Sequence, residues 1–199
     1  MNQPNTFGPS SWSVNVQQAL RPIRKKYLYN SYVNSLPLKP ATKMLEFGSG
    51  IGAMAELLAR RLYKGELTCV DISDRYLTKA RKNLRDYPNI SFHHGRLTHL
   101  NLGVGEYDAI NVHQVLHHVM AENRAPLVAE MYQLLKPGGK VYLRETLKES
   151  HGIPAFEISK LFVDAGFYPL YENKTRVRFM GESFSACYAK LSTIKIFLC

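Results

Sequence analysis

Cysteine is scarce: the 199 residues hold three, Cys69, Cys187 and Cys199, with no C-x-x-C pair and no histidine spaced to join them. That pattern offers neither a disulfide framework nor a zinc site, and it fits a reducing compartment. Long apolar runs are missing too. No stretch approaches the ~20 uncharged residues needed to span a bilayer, and the polar start MNQPNTFGPSS lacks the basic-then-apolar order of a secretory signal. A soluble, cytoplasmic chain is expected. Internal repeats and low-complexity blocks are absent. Acidic residues are in deficit, 16 Asp and Glu against 26 Lys and Arg, for a net charge of +10. That excess favours nucleic acid, anionic lipid or acidic small molecules without choosing among them.

What is present suffices for one substantial core: 45% of residues are hydrophobic, and a prior of ~150 residues per domain leaves little room for a second. The reading is a helical cap over residues 1–38 and a body over 39–199, one structural domain in all. In the cap, Val16, Ala19, Leu20, Ile23, Tyr27 and Leu28 recur near helical spacing, and Pro22 is expected to open a helix or to separate two. The body alternates strand-like and helix-like segments. Strands are expected at 42–47, 67–71, 90–94, 107–112 and 140–145, and helices at 53–63, 74–86, 124–135 and 154–165, with Ser73 or Asp74 as an N-cap. Such alternation implies right-handed βαβ units and a parallel sheet covered on both faces. The end breaks the rhythm: 168–172 and 183–191 have no helix between them and should form an antiparallel hairpin at the sheet edge.

The stretch Met44-Leu45-Glu46-Phe47-Gly48-Ser49-Gly50-Ile51-Gly52 stands where the first strand turns into the first helix. Glycines there let backbone approach a ligand, and the helix start offers unpaired N–H groups. Gly48, Gly50 and Ala53 also satisfy the glycine pattern of nicotinamide and flavin proteins, so a dinucleotide must be weighed. Four features favour S-adenosylmethionine instead. Glu46 would repel a pyrophosphate but attract an ammonium. Asp71, 19 positions beyond Gly52, suits both ribose hydroxyls, although this feature serves either cofactor. No substrate domain follows the seven strands, and the terminal antiparallel hairpin is foreign to nicotinamide folds.

Over roughly residues 40–191 the chain resembles the class I S-adenosylmethionine-dependent methyltransferases. The resemblance rests on Glu46 to Gly52, on Val70-Asp71-Ile72-Ser73, on Tyr107-Asp108-Ala109-Ile110 with Val115-Leu116-His117-His118, and on Leu135-Lys136-Pro137-Gly138-Gly139-Lys140. It implies an α/β, Rossmann-like, seven-stranded sheet in the order 3-2-1-4-5-7-6, with strand 7 antiparallel. It also implies that the backbone of Gly48, Gly50 and Gly52 passes beneath the methionine and ribose of the cofactor, that Asp71 takes the ribose hydroxyls and that Ile72 lies against the adenine. Where the family usually has Gly-Asp-Ala after strand 3, this chain has Gly95-Arg96-Leu97. Arg96 therefore replaces the usual adenine-binding aspartate and is expected to stack on the ring or face an anionic substrate, while Leu97 keeps a backbone contact.

A sulfonium is already an activated leaving group, so the protein must mainly align the acceptor and exclude water. His113, at the carboxyl end of the fourth strand, is the candidate catalytic residue and a candidate cofactor contact. His117 and His118, at the start of the following helix, are read as packing or hydrogen-bonding groups. Arg144 and Glu145, ending strand 5, are read as acceptor contacts or a surface ion pair. No metal ligands are expected. The aromatic cap residues Phe7, Trp12, Tyr27, Tyr29 and Tyr32 either line an acceptor pocket or pack the cap onto the sheet. Asn111-Val112-His113-Gln114 lacks the Asn-Pro-Pro-Tyr of base-amine methyltransferases, which disfavours nucleic acid as substrate. The expected acceptor is a small or lipid-like molecule; the basic amphipathic stretch 16–28 reads as an ordinary capping helix or as a peripheral contact with anionic membrane, and the apolar end 194–199 as a strand extension or frayed tail, or as a membrane or subunit contact. A non-catalytic cofactor-binding module and an RNA methyltransferase stand as the alternatives.

Overall fold

The computed structural model describes residues 10–148, 150, 152–177 and 180–192. The strands run β1 Lys43–Phe47, β2 Glu66–Asp71, β3 Ile90–His94, β4 Tyr107–His113, β5 Leu135–Thr146, β6 Tyr168–Val177 and β7 Gly181–Ala189. They form a single sheet in the order β3-β2-β1-β4-β5-β7-β6 with flanking helices, as the resemblance implies. Pairing is parallel for β1/β2, β2/β3 and β4/β5 and antiparallel for β5/β7. Compactness divides the chain into two units, the first up to Leu100 and the second from Asn101 onward, with a short piece at Val177 going to the first.

In the first unit, β1 and β2 read as nearly continuous apolar runs because side chains on both faces are covered. Met44, Leu45, Leu67, Cys69 and Val70 are fully buried. α3 (Ala53–Arg61) and α4 (Asp74–Asn83) supply Leu58, Leu77 and Ala80 to the same core. Ser73 caps α4, its hydroxyl accepting the Tyr76 N–H. α1 (Ser11–Arg24) opens the described chain, capped by Ser10, and α2 (Asn30–Ser35) follows it. Pro22 neither starts a helix nor divides two: it sits inside α1, and a five-residue π-helical segment, Lys25–Tyr29, follows. Proline removes one donor from the helical ladder, and the wider π turn re-forms it with i→i+5 bonds.

The first unit holds the cap by polar ties. Gln17 donates to the Tyr76 hydroxyl at 2.6 Å, and Gln18 and Asn83 exchange hydrogen bonds at 3.2 and 2.9 Å. Arg21 and Lys25 meet the Glu56 carboxylate at 2.5 and 2.7 Å, and Arg60 reaches its other oxygen at 2.7 Å. Burial alone would raise the Glu56 carboxyl, but its bond with Lys25 and the charges of Arg21 and Arg60 outweigh that and hold it below its ordinary range.

In the second unit, α5 (Ala121–Leu134) and α6 (Ala155–Asp164) contribute Leu127, Val128, Met131, Ile158 and Phe162 to the core. Phe162 stacks on Tyr188 with centroids 4.3 Å apart. α5 begins at Ala121, so His117 and His118 lie in a separate 3₁₀ turn, Leu116–His118, and not at the helix start. β5 extends back to Leu135, taking in the Lys136-Pro137-Gly138-Gly139 turn, with a register shift before Lys140. β6 is exposed along its length and carries Pro169, Lys174 and Arg176, residues that suit a strand at the sheet edge. The apolar end 194–199 and Phe7 lie outside the described residues.

Candidate cofactor site

The glycine loop is built on a parallel strand pair. Glu46 stands beside Cys69 and Phe47 beside Val70. The chain leaves β1 with the Gly48 and Ser49 N–H groups both donating to the Val70 carbonyl, at 2.8 and 3.2 Å. Gly48, Gly50 and Gly52 have φ of +74°, +55° and +78°, a region that costs other residues about 1–2 kcal/mol. Gly50 and Gly52 nevertheless do different work. A Cβ on Gly50 would meet nothing within 4 Å, so the backbone there faces open space. A Cβ on Gly52 would come within 2.5 Å of Leu84 Cδ1 and 3.3 Å of Ala80 Cβ, so this glycine allows α3 to pack close to α4.

Asp71, only 8% exposed, already belongs to the loop. Its Oδ2 accepts the Gly50 N–H at 2.8 Å and its Oδ1 the Ser73 N–H at 2.9 Å. The Ile72 N–H bonds the same carboxylate, and a carboxylate has about four lone-pair sites, so capacity remains for a hydroxyl donor. Burial raises the Asp71 carboxyl, against the opposing effect of those N–H bonds. Glu46 is more deeply buried. Its Oε2 accepts from the Cys69 thiol at 3.7 Å, and burial, reinforced by the Asp71 charge, lifts its carboxyl to about 8. The Cys69 thiol is raised well above its ordinary range, by burial first and by Glu46 second.

The turn after β3 joins this edge, for the Gly95 N–H donates to the Asp71 carbonyl at 3.1 Å. Ile72 is 57% exposed beside that carboxylate, while Arg96 is exposed and Leu97 buried at the start of a 3₁₀ turn, Leu97–His99. The structure thus brings Glu46, Gly48, Gly50, Asp71, Ile72, Arg96 and Leu97 to the carboxyl ends of β1, β2 and β3.

Sequence reading missed the neighbours of the carboxylates. Cys69 is one, and the period of two from Asp71 along β2 points to it, since both lie on one face of the strand. Cap residues are the others. Arg24 bonds the Tyr29 phenol, and burial, with the Glu46 charge behind it, raises that phenol. Tyr76, raised by burial and by the Asp71 charge, also feels Arg24. Tyr32 packs into the core, whereas Trp12 and Tyr27 are exposed.

In the second unit, Glu145 is fully buried, so it is not half of a surface ion pair. Its Oε1 accepts the Val115 and Leu116 N–H groups, both at 2.7 Å, and its Oε2 lies 2.7 Å from His117 Nδ1. That carboxylate fixes the 3₁₀ turn after β4. Gln114, just before it, has φ of +54°, and its N–H donates to the Arg144 carbonyl at 2.8 Å. His113 closes β4 with its Nε2 buried. Burial, then the Arg144 charge, lowers the imidazole to about 3, so near neutral pH the ring is uncharged and a weak base.

The donor set and the open backbone fit a nucleoside that carries positive charge: two buried carboxylates border a loop with room above it. The strand order and flanking helices are those of the class I S-adenosylmethionine-dependent methyltransferase fold. A methyltransferase-domain family profile matches residues 45–143.

Among individual proteins, the ubiquinone/menaquinone biosynthesis C-methyltransferase of Shewanella piezotolerans is 29% identical over 125 residues, covering 61% of this chain and 49% of that protein. The demethylmenaquinone methyltransferase of Lysinibacillus sphaericus is 27% identical over 167 residues, 83% of this chain and 66% of that protein. The chain spans about half the length of most of the curated relatives it matches. A solved S-adenosylmethionine-dependent methyltransferase from Aquifex aeolicus shares the fold, with a TM-score of 0.76 at 15% identity over 89% of this chain and 98% of that one.

Proposed function

We propose that this chain transfers the methyl group of S-adenosylmethionine to a small, lipid-like acceptor of quinone type. The observation that carries the cofactor assignment is the pair of buried carboxylates, Glu46 and Asp71, beside the open backbone of Gly50. Once ionised, such a pair attracts a cation and repels a diphosphate. The acceptor class is supported by the names of the relatives, which act in quinone biosynthesis or on demethylmenaquinone.

When bound, S-adenosylmethionine supplies an activated methyl group on a sulfonium. In this reading the Asp71 lone pair not taken by Gly50, Ile72 and Ser73 receives a ribose hydroxyl. Ile72 offers an exposed apolar surface to the adenine, with the Leu97 backbone and Arg96 at its edge. The loop at Gly48 and Gly50 lies beneath the methionine and ribose, and Glu46 faces the ammonium. Gly52 serves the site indirectly, by seating α3 against α4. The proton that the acceptor loses on methylation passes to bulk water.

The test has two parts. Calorimetry should give micromolar-range binding of S-adenosylmethionine and S-adenosylhomocysteine, and none of NADH. Incubation with methyl-labelled cofactor and a reduced, ring-unsubstituted naphthoquinone should place label on the ring carbon. Absence of cofactor binding at millimolar concentration defeats the cofactor assignment. Binding with label appearing only on other acceptors defeats the quinone assignment.

A further inference from the structure

The cap helix has its polarity reversed. α1 turns Gln17, Gln18 and Arg21 toward α3 and α4, where they bond Tyr76, Asn83 and Glu56. Its apolar residues stand on the other side. At 3.6 residues per turn, Trp12, Val16, Ala19, Leu20 and Ile23 fall within an arc of about 100°, and Tyr27 continues the stripe one turn on. Exposure is 74% at Trp12, 39% at Leu20, 54% at Ile23 and 50% at Tyr27. A helix held by its polar face and open on its apolar face needs an apolar partner on the open side.

Charge identifies that partner. From Met1 to Leu45 the chain has no Asp or Glu, while Arg21, Arg24, Lys25, Lys26, Lys39 and Lys43 are all cationic. Arg21 and Lys25 are partly compensated by Glu56, but Lys26 is exposed beside the stripe with its ammonium 5.0 Å above the Tyr27 ring. A second copy pairing through this face would set cations against cations. An anionic bilayer complements both properties, because its acyl boundary takes the stripe and its phosphates take the lysines and arginines.

We propose that α1 and the π segment dock this protein on an anionic membrane surface, with Trp12, Val16, Leu20, Ile23 and Tyr27 entering the headgroup and acyl boundary. The inference goes beyond the methyl-transfer reading and does not need it, since docking is read without cofactor or acceptor. It supplies what that reading leaves open, a way for a lipid-like acceptor to be met where it is dissolved.

Trp12 is the single tryptophan of the chain, so its emission reports on the stripe alone. The full chain should float with phosphatidylglycerol/phosphatidylcholine vesicles and shift its emission to the blue. It should leave pure phosphatidylcholine unbound and be released by high salt. The Leu20→Ser/Ile23→Ser variant should lose at least tenfold in partitioning, and Lys26→Glu should lose severalfold. Both variants should keep the cofactor affinity and far-UV spectrum of the parent, which separates lost docking from lost folding. The proposal is overturned by failure to float with anionic vesicles, or by flotation that ignores the serine variant. It is equally overturned if light scattering finds a dimer that the serine variant dissolves.

Discussion

Glu46 and Asp71 share an edge but have different duties. Asp71 holds backbone N–H groups, so Asp71→Ala should weaken cofactor binding by 10- to 100-fold and also lower stability, since charged hydrogen bonds of this kind contribute about 1.5–3 kcal/mol each. Calorimetry and urea melts on one preparation check both losses. Glu46, lifted to about 8 by burial, is largely protonated at pH 7. A cation binds the ionised form, so affinity for S-adenosylmethionine should climb as pH rises from 6 to 8 and level off above, with proton release on binding near pH 7. Calorimetry in buffers of different ionisation enthalpy reads that proton, and Glu46→Gln should abolish both the slope and the release. In the free protein the sign is opposite. A carboxyl raised on folding loses its stabilising contribution as pH climbs from the unfolded value of 4.5 to about 8. The glycines make a second contrast. Gly50→Ala should lower cofactor affinity with a stability loss of only about 1–2 kcal/mol for its φ, whereas Gly52→Ala adds a clash with Leu84 and should cost more in melts. The glycine spacing was plain in the sequence; which glycine faces open space and which faces a leucine was not, because Leu84 is 32 positions from Gly52 and nothing local records the meeting.

Elements were legible where periodicity or capping is local. Ser73 as the cap of α4 and the strand runs of β1 to β3 follow from residue type and spacing alone. The misreadings fall where a distant partner decides. His117 and His118 sit in a 3₁₀ turn because the Glu145 carboxylate, 28 and more positions away, collects the N–H groups of Val115 and Leu116 and the ring of His117. Glu145→Ala leaves those donors facing a void, a loss of roughly 3 kcal/mol or more at 1–3 kcal/mol per buried group. Denaturant melts should show it, and hydrogen exchange should place the opening at the turn after β4. Pro22 is a parallel case. Its ring suggests a helix boundary, yet α1 runs through it because the polar ties to Tyr76, Asn83 and Glu56 hold both sides of the residue.

At the scale of the molecule, strand order was the most legible feature, since the glycine loop, Asp71 and the Lys136-Pro137-Gly138-Gly139 turn carry the family resemblance that implies it. The attachment of the cap was the least, for hydrophobic spacing alone points the apolar stripe of α1 inward. Glu56 reverses it by gathering Arg21, Lys25 and Arg60. Because its carboxyl is depressed on folding, the stabilisation it gives is complete above the ordinary glutamate value and fades as pH falls through the folded one. Acidification should therefore loosen α1 before the sheet, with amide exchange in 11–24 rising ahead of that in β1 and β2. Glu56→Gln should produce the same pattern at neutral pH.

The π segment after Pro22 amounts to one residue more than an α-helix would need to cover the same rise. Were all five residues from Lys25 to Tyr29 wound as ordinary α-helix with none removed, everything upstream would swing through about 100° around the axis. Polar anchors would then rotate off their partners and the stripe would turn sideways. The winding of this one coil, more than the identity of any side chain in it, thus sets which way the front of the helix looks.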